Sequence, residues 1–329
     1  PHPRRRARRR ARPVTGRPPT DQPPRPMDRR RFLSALGATL GAPAALAACA
    51  SSPRMAGGAA STTTTTTTTT VAASPLPAAG PALGVQLYTL RSLMARDVEG
   101  TLRAVAGAGY KEVEFAGYYD RTPAQIRATL ASLGLTSPSA HVPLDALRDR
   151  TEATMDAAAA VGHRYVILPY LLEGDRTPDS YRRIAGELNR WGEAARARGL
   201  RMGYHNHDFE FAPLADGSRG MDLLLAGTDP ALVAFEMDLF WVTYAGQDPR
   251  ALFARHPGRF ELWHVKDMKR GPDGARTMVD VGAGDIDFRG LYAQRAVSGL
   301  RHLVVEHDNP PDPAASIRAS YAGLRRAVG

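Results

Sequence analysis

The run Leu83-Gly84-Val85-Gln86-Leu87 leads straight into Tyr88-Thr89-Leu90-Arg91. Its first five residues read as a buried parallel strand, and the turn after them separates two ways of building a parallel sheet. A doubly wound open sheet usually carries a glycine-rich phosphate loop after its first strand. Here tyrosine, threonine, leucine and arginine fill that turn. Seven further runs of strand length lie at 112–115, 137–141, 165–168, 201–205, 233–238, 260–265 and 302–306. The stretches between them have helical spacing or helix-start signals. Thr122-Pro123, Thr177-Pro178 and Asp248-Pro249 each place proline at a first helical position. Gly109, Gly134, Gly162 and Gly199 sit where helices should end before the next strand. Eight such units in about 250 residues is the arithmetic of a closed (β/α)8 TIM barrel, expected over residues 82–329.

The formal net charge of +10 suggests a nucleic-acid binder until the charges are located. Residues 1–49 hold 12 Arg and 2 Asp, and the rest of the chain balances 31 basic against 31 acidic residues. The surplus is therefore entirely N-terminal, and the body has no excess to draw phosphate backbones. No nucleic-acid partner is expected. Residues 1–26 are Arg/Pro-rich, and translation is expected to start at Met27. From there, Arg29-Arg30-Arg31-Phe32-Leu33 opens a short apolar stretch ending in Leu46-Ala47-Ala48-Cys49. This resembles a twin-arginine export signal joined to a lipobox, with the single cysteine, Cys49, as the lipidated residue. Residues 50–81, with a threonine run at 62–70, read as a flexible linker. The expected destination is the periplasm or cell envelope, reached through the twin-arginine machinery, with a lipid anchor as the only membrane attachment. One cysteine also excludes a disulfide framework and a thiolate-rich metal site.

Active sites of such barrels lie at the C-terminal strand ends. Those ends carry His141, Tyr170, His205, His207, Asp238, His264, Lys266, Glu306 and Asp308. Side chains two apart on a strand share a face, which groups Glu236 with Asp238, His264 with Lys266, and Glu306 with Asp308. Asp238, His264 and Glu306 are candidates to point together into the barrel mouth. Carboxylates and imidazoles without thiolates suit a divalent ion such as Mn²⁺, Co²⁺, Mg²⁺ or Zn²⁺. Taken singly, each residue has an ordinary alternative, since a strand-end Asp often caps the next helix.

Together these motifs resemble the sugar phosphate isomerase/epimerase family, with its xylose-isomerase-like TIM barrel. The resemblance runs from Gly84-Val85-Gln86 and Glu112-Val113-Glu114-Phe115 through Gly203-Tyr204-His205-Asn206-His207 and Glu236-Met237-Asp238-Leu239-Phe240-Trp241. It continues through Trp263-His264-Val265-Lys266-Asp267 and Gly282-Ala283-Gly284-Asp285 to Val304-Val305-Glu306. It implies a metal held by Glu, Asp, His and Glu from four strand ends. Asp238, His264 and Glu306 match the last three, and His205 stands where the first Glu is usual. That departure puts a two-carboxylate epimerase mechanism in doubt, unless Glu210 supplies the missing group from the following loop.

The implied activity is a metal-dependent isomerase or epimerase, or a related keto-sugar lyase. It would remove a proton beside a carbonyl through an enediolate-like intermediate. Glu306, His207 or His205 would act as base, and Lys266 as donor to the developing oxyanion. Tyr88, Glu114, His141 and Trp241 are candidate substrate contacts. An exported member should act on a free sugar, a glycoside or a 3-keto-sugar. Two alternatives are a non-catalytic carbohydrate-binding lipoprotein and an endonuclease-IV-like phosphodiesterase. The latter would need a basic face and more zinc ligands.

Overall fold

The computed structural model describes residues 82–329; the expected signal, linker and Cys49 lie outside the described residues. Strands β1 (Leu83–Gln86), β2 (Glu112–Phe115), β3 (Thr136–His141), β4 (Tyr165–Leu168), β5 (Arg201–His205), β6 (Val233–Asp238) and β7 (Leu262–Val265) succeed one another with helices between them. An antiparallel hairpin, β8 (Asp267–Arg270) and β9 (Arg276–Val279), precedes β10 (His302–Val305). Strand β10 pairs in parallel with both β7 and β1, which closes an eight-stranded barrel. The TIM barrel expected from the sequence is the fold observed.

Apolar side chains such as Val85, Val113, Val166, Met202, Phe235 and Val305 belong to one large core shared with the surrounding helices. Tyr165, Ile167, Ala234 and Leu262 form a separate small cluster, which plugs the barrel interior below its polar mouth. Gly203 makes room for that plug, because a Cβ there would lie 3.1 Å from Ile167 Cδ1.

Helix starts match the sequence signals. Thr122 and Gln125 form a reciprocal capping box at Pro123–Leu133. Thr177 caps Pro178–Arg196, and Asp248 caps Pro249–Arg255. Gly134 and Gly162 close their helices in the left-handed conformation, with φ of 64° and 102°. Four boundaries differ from expectation. Strand β3 begins at Thr136 rather than residue 137, and β10 ends at Val305 rather than residue 306. Leu87 leaves the first strand for a short helical turn, Leu87–Leu90, and β7 begins at Leu262 rather than residue 260.

The β8–β9 hairpin was not foreseen. Its tip residues Lys269, Arg270, Arg276 and Thr277 are exposed, so no apolar run marks it. Asp267 fixes its root by accepting from the backbone N–H groups of Met268 at 2.8 Å, Gly282 at 2.8 Å, Gly284 at 2.9 Å and Ile286 at 3.2 Å. Both glycines of the Gly282-Ala283-Gly284 turn thus donate their N–H groups to Asp267, while the Ala283 N–H donates to the Asp280 carbonyl. It leads into the helix Phe288–Ala293, capped by Asp287.

The C-terminal helix Pro313–Val328 crosses this turn at Gly323, where an added Cβ would lie 1.8 Å from the carbonyl oxygen of Val281. The substitution G323A should therefore lower stability by about 1–3 kcal/mol, as overpacking does. Urea denaturation measures it, and an unchanged midpoint would mean that the helix can slide away freely.

Candidate metal centre

Strand register determines which side chains meet. Asp238 lies opposite His264, and His264 opposite Val304, so Glu306 stands just above this rung. One rung lower, His205 lies opposite Glu236. On the other side of the barrel, Gln86 is opposite Glu114. All five of Glu114, His205, Glu236, Asp238 and His264 are buried, at 2% exposure or less.

The upper group joins Asp238, His264, Lys266, Glu306 and Asp308. Asp238 Oδ1 accepts from the Trp241 N–H at 3.0 Å and caps the helix Leu239–Tyr244. The capping role that a strand-end Asp often plays is therefore present. It also aims the other oxygen inward: Oδ2 makes no hydrogen bond, but lies 3.0 Å from Lys266 Nζ and 3.6 Å from His205 Nε2. Glu306 Oε2 is 3.0 Å from His264 Nδ1 and 2.7 Å from Lys266 Nζ. The ammonium also donates to Asp308 Oδ1 at 2.7 Å. Burial pushes the Asp238 carboxyl up to about 6, against the pull of Lys266 and His264. Burial would also raise Glu306, but Lys266 and His264 outweigh it and hold that carboxyl well below its ordinary range. Lys266 is driven well above its ordinary value by Asp238, Asp308 and Glu306, despite burial that alone would lower it.

Beneath lies a floor of two carboxylates and one imidazole. Glu114 Oε1 accepts from Gln86 Nε2 at 2.7 Å and pairs with His264 Nε2 at 2.7 Å. His141 Nε2 sits 2.7 Å from Glu236 Oε2 and 3.0 Å from Glu114 Oε1. Burial opposes a charge on His141, but the two carboxylates prevail and raise it to about 9. Glu236 Oε2 also faces His205 Nδ1 at 3.0 Å. Glu114 and His141, expected from the sequence as substrate contacts, both lie in this floor. Glu236 carries no role in the sequence reading, although its place two residues before Asp238 puts it on the same inward face.

The donor set suits a divalent ion. The ligating atoms of Asp238, His264 and Glu306 lie within 4.8 Å of one another, as do those of His141, His205, Glu236 and His264. Donors around an ion with bonds of about 2.1 Å stand roughly 3–3.5 Å apart, close to the His264–Glu306 and His205–Asp238 spacings above. Asp238 Oδ2 is buried without a hydrogen bond, and even with the Lys266 ammonium 3.0 Å away it keeps a lone pair that a second cation could take.

Aromatic rings line the mouth. His207 stacks on Phe209 at 5.5 Å, and meets Tyr170 edge-on at 5.0 Å and Trp241 at 5.6 Å. Its Nδ1 is buried without a partner. Arg176 covers Phe209 at 3.5 Å, and Arg91 lies over the half-buried Tyr88 at 4.2 Å. Glu210 does not stand in for a missing ligand. Tyr204, which points out of the barrel, donates to its Oε1 at 2.6 Å, and the His207 backbone N–H donates to its Oε2 at 2.8 Å.

The chain belongs to the xylose isomerase-like TIM barrel family, whose profile matches residues 102–327. Over 161 residues it is 28% identical to an inosose dehydratase of Lacticaseibacillus casei, a match covering 44% of this chain. The chain spans about half the length of that curated relative, 52% of it. Its fold is similar to that of a sugar phosphate isomerase/epimerase from Parabacteroides distasonis, with a TM-score of 0.64 and 24% identity. That match covers 78% of this chain and 98% of the other. The IolI protein, whose structure holds a zinc atom, shares the fold at a TM-score of 0.59 and 13% identity, over 75% of this chain and 98% of its own.

Burial raises the Glu210 carboxyl to about 7, although Tyr204 and the His207 backbone N–H favour its charged form. With the folded value above the unfolded one, its contribution to stability is complete below about pH 4.5 and lost as pH rises through about 7. E210Q should flatten the fall in stability across that window. Denaturant midpoints from pH 4.5 to 8 test this, and an unchanged pH profile would refute it.

Proposed function

We propose that this protein is a metal-dependent enzyme that removes the proton beside the carbonyl of a sugar or keto-sugar. The observation carrying this reading is the convergence of Asp238, His264 and Glu306 at the buried barrel mouth, with Lys266 in contact. His205 Nε2, Asp238 Oδ2, His264 Nδ1 and Glu306 Oε2 would hold the ion. When bound, a divalent ion polarises a carbonyl and stabilises negative charge developing beside it.

The chain's own residues supply the proton transfers. Burial, and then Lys266, hold His207 well below the ordinary imidazole value, which keeps the ring neutral and lowers its basicity. It would therefore take a proton only as negative charge develops beside it. Its Nδ1, though buried, has no hydrogen-bond partner, whereas Glu306 is engaged by Lys266 and His264. Lys266, fully charged, donates to the oxygen on which negative charge grows. Trp241 and Tyr88 offer apolar faces to the sugar ring.

One free imidazole at the mouth suits chemistry with a single base. Epimerisation needs proton exchange on both faces of the carbon. The other candidate carboxylates are committed, Glu114 and Glu236 to the floor and Glu210 to Tyr204. Similarity to inosose dehydratases favours elimination. His207 takes the α-proton, the C–O bond at the β-carbon breaks, and Lys266 returns a proton to the departing oxygen. The N-terminal signal would place this activity on a free sugar, glycoside or 3-keto-sugar in the envelope.

The test uses protein purified without a histidine tag, given a panel of keto-sugars in D₂O. With Mn²⁺ or Co²⁺ present, deuterium should enter beside the carbonyl, and enone absorbance should report elimination. Chelation should abolish both. H207Q should slow exchange by about 10²–10⁴-fold while retaining the metal. Failure of the wild type to bind metal, or exchange that survives complete chelation, would end this reading. For the envelope assignment, C49S should move the protein from the membrane fraction to the soluble one; membrane retention of C49S would refute lipidation there.

A further inference from the structure

An imidazole ligand poses a problem that a carboxylate does not. Either oxygen of a carboxylate can face an ion, whereas a neutral imidazole has one lone pair and one N–H. It presents the lone pair to a metal only if its other nitrogen holds the proton. It also brings no negative charge. His205 is such a ligand, so something must fix its tautomer and its ring orientation.

The geometry points to Glu236. Its Oε2 lies 3.0 Å from His205 Nδ1, and an ionised carboxylate only accepts hydrogen bonds. Nδ1 therefore carries the proton, which leaves the lone pair on Nε2, the atom 3.6 Å from Asp238 Oδ2. Glu236 is fully buried, and its Oε1 has no partner. Its Oε2 also meets His141 Nε2 at 2.7 Å and His264 Nε2 at 3.2 Å, and a carboxylate oxygen can accept from more than one donor. One strand, β6, thus carries both the ligand Asp238 and the group that aims the ligand across from it. We propose that Glu236 is the positioning residue that turns His205 Nε2 toward the metal and supplies, one bond shell out, negative charge that His205 lacks. This rests on the metal-centre reading above. Glu114 holds His264 in the same way, with Oε1 2.7 Å from Nε2, leaving Nδ1 on the side of Glu306. His141, between the two carboxylates, keeps both from repelling each other.

Outer partners of metal-bound histidines typically control affinity by about 10–100-fold. The full-length metal-free protein is titrated with Co²⁺, whose visible absorption reports the ligand set. The wild type should bind one Co²⁺ per chain. E236Q should bind it about 10–100-fold more weakly, with a shifted band, and E236D, which keeps an acceptor, should recover part of the loss. A carboxylate at 205 needs no tautomer set, so H205E and H205E/E236Q should bind Co²⁺ equally well. A merely structural role for Glu236 would weaken binding by the same factor in both backgrounds, and that result would overturn the proposal. So would an E236Q protein with wild-type affinity and spectrum. Two Co²⁺ per wild-type chain, the second lost in E236Q, would overturn it by making Glu236 a ligand. A wild type that binds no Co²⁺ would instead remove the metal centre itself, and Glu236 would have nothing to orient.

Discussion

Burial of four carboxylates within one barrel mouth is the constraint around which this structure is arranged. Glu114, Glu236 and Asp238 are fully buried and Glu306 nearly so, and a charge taken out of water is tolerated only when it is paired and hydrogen-bonded. The chain answers with cations placed by strand register. Lys266 touches Asp238, Glu306 and Asp308, and His141 bridges Glu114 and Glu236. His264, pushed well above its ordinary value by Glu236 and Glu114 despite burial, joins the two levels through its two nitrogens. Removing any one partner would strand the others, so the cluster belongs to one cooperative unit.

Rigid elements hold the polar atoms in place. Asp238 is tied by its Oδ1 to the helix after it, and its backbone N–H donates to Asn206 Oδ1 at 3.1 Å. The apolar plug of Tyr165, Ile167, Ala234 and Leu262 closes the barrel beneath. Beside the mouth, Asp267 locks the hairpin root to the Gly282–Gly284 turn. Met278 Sδ accepts from the Asp308 N–H at 3.3 Å, so the hairpin reaches the strand end that supplies a partner of Lys266.

Much of this was legible in the sequence because buried parallel strands are continuous apolar runs, and the Thr-Pro and Asp-Pro pairs mark helix starts with a local mechanism. Reading only strand ends then isolated Asp238, His264 and Glu306. What escaped depends on facts that periodicity does not carry. The hairpin pairs short, solvated strands, so its pattern is that of a loop. Glu236 lay on the correct face, but an acidic residue within a strand gives no sign of the distant imidazoles it meets, one from β3, one from β5 and one from β7. Alternation told that Glu114 and His141 face inward. It could not tell how deep, because depth comes from the stagger between strands as the barrel closes. Glu210 illustrates the opposite limit: its chemistry fitted a ligand, yet its loop carries it to the outer side, against Tyr204.

The charge balance explains why an ammonium and a metal ion can share one rim. Lys266 already occupies oxygens of Asp238 and Glu306 that an ion would use, which at first sight makes the two cations rivals. Asp308 changes that accounting. The upper group holds three carboxylates, and one ammonium with one divalent ion would neutralise them, provided His205 and His264 are neutral. Metal binding requires deprotonated ligands, so the ion would take the place of a proton on His264. The ammonium keeps Asp308 when the ion claims its neighbours. Below, His141 leaves the two floor carboxylates one negative charge in excess, on the side of the imidazoles that point away from the metal. An ion in the upper group would thereby meet neutral rings backed by negative charge, which would make their nitrogens stronger donors.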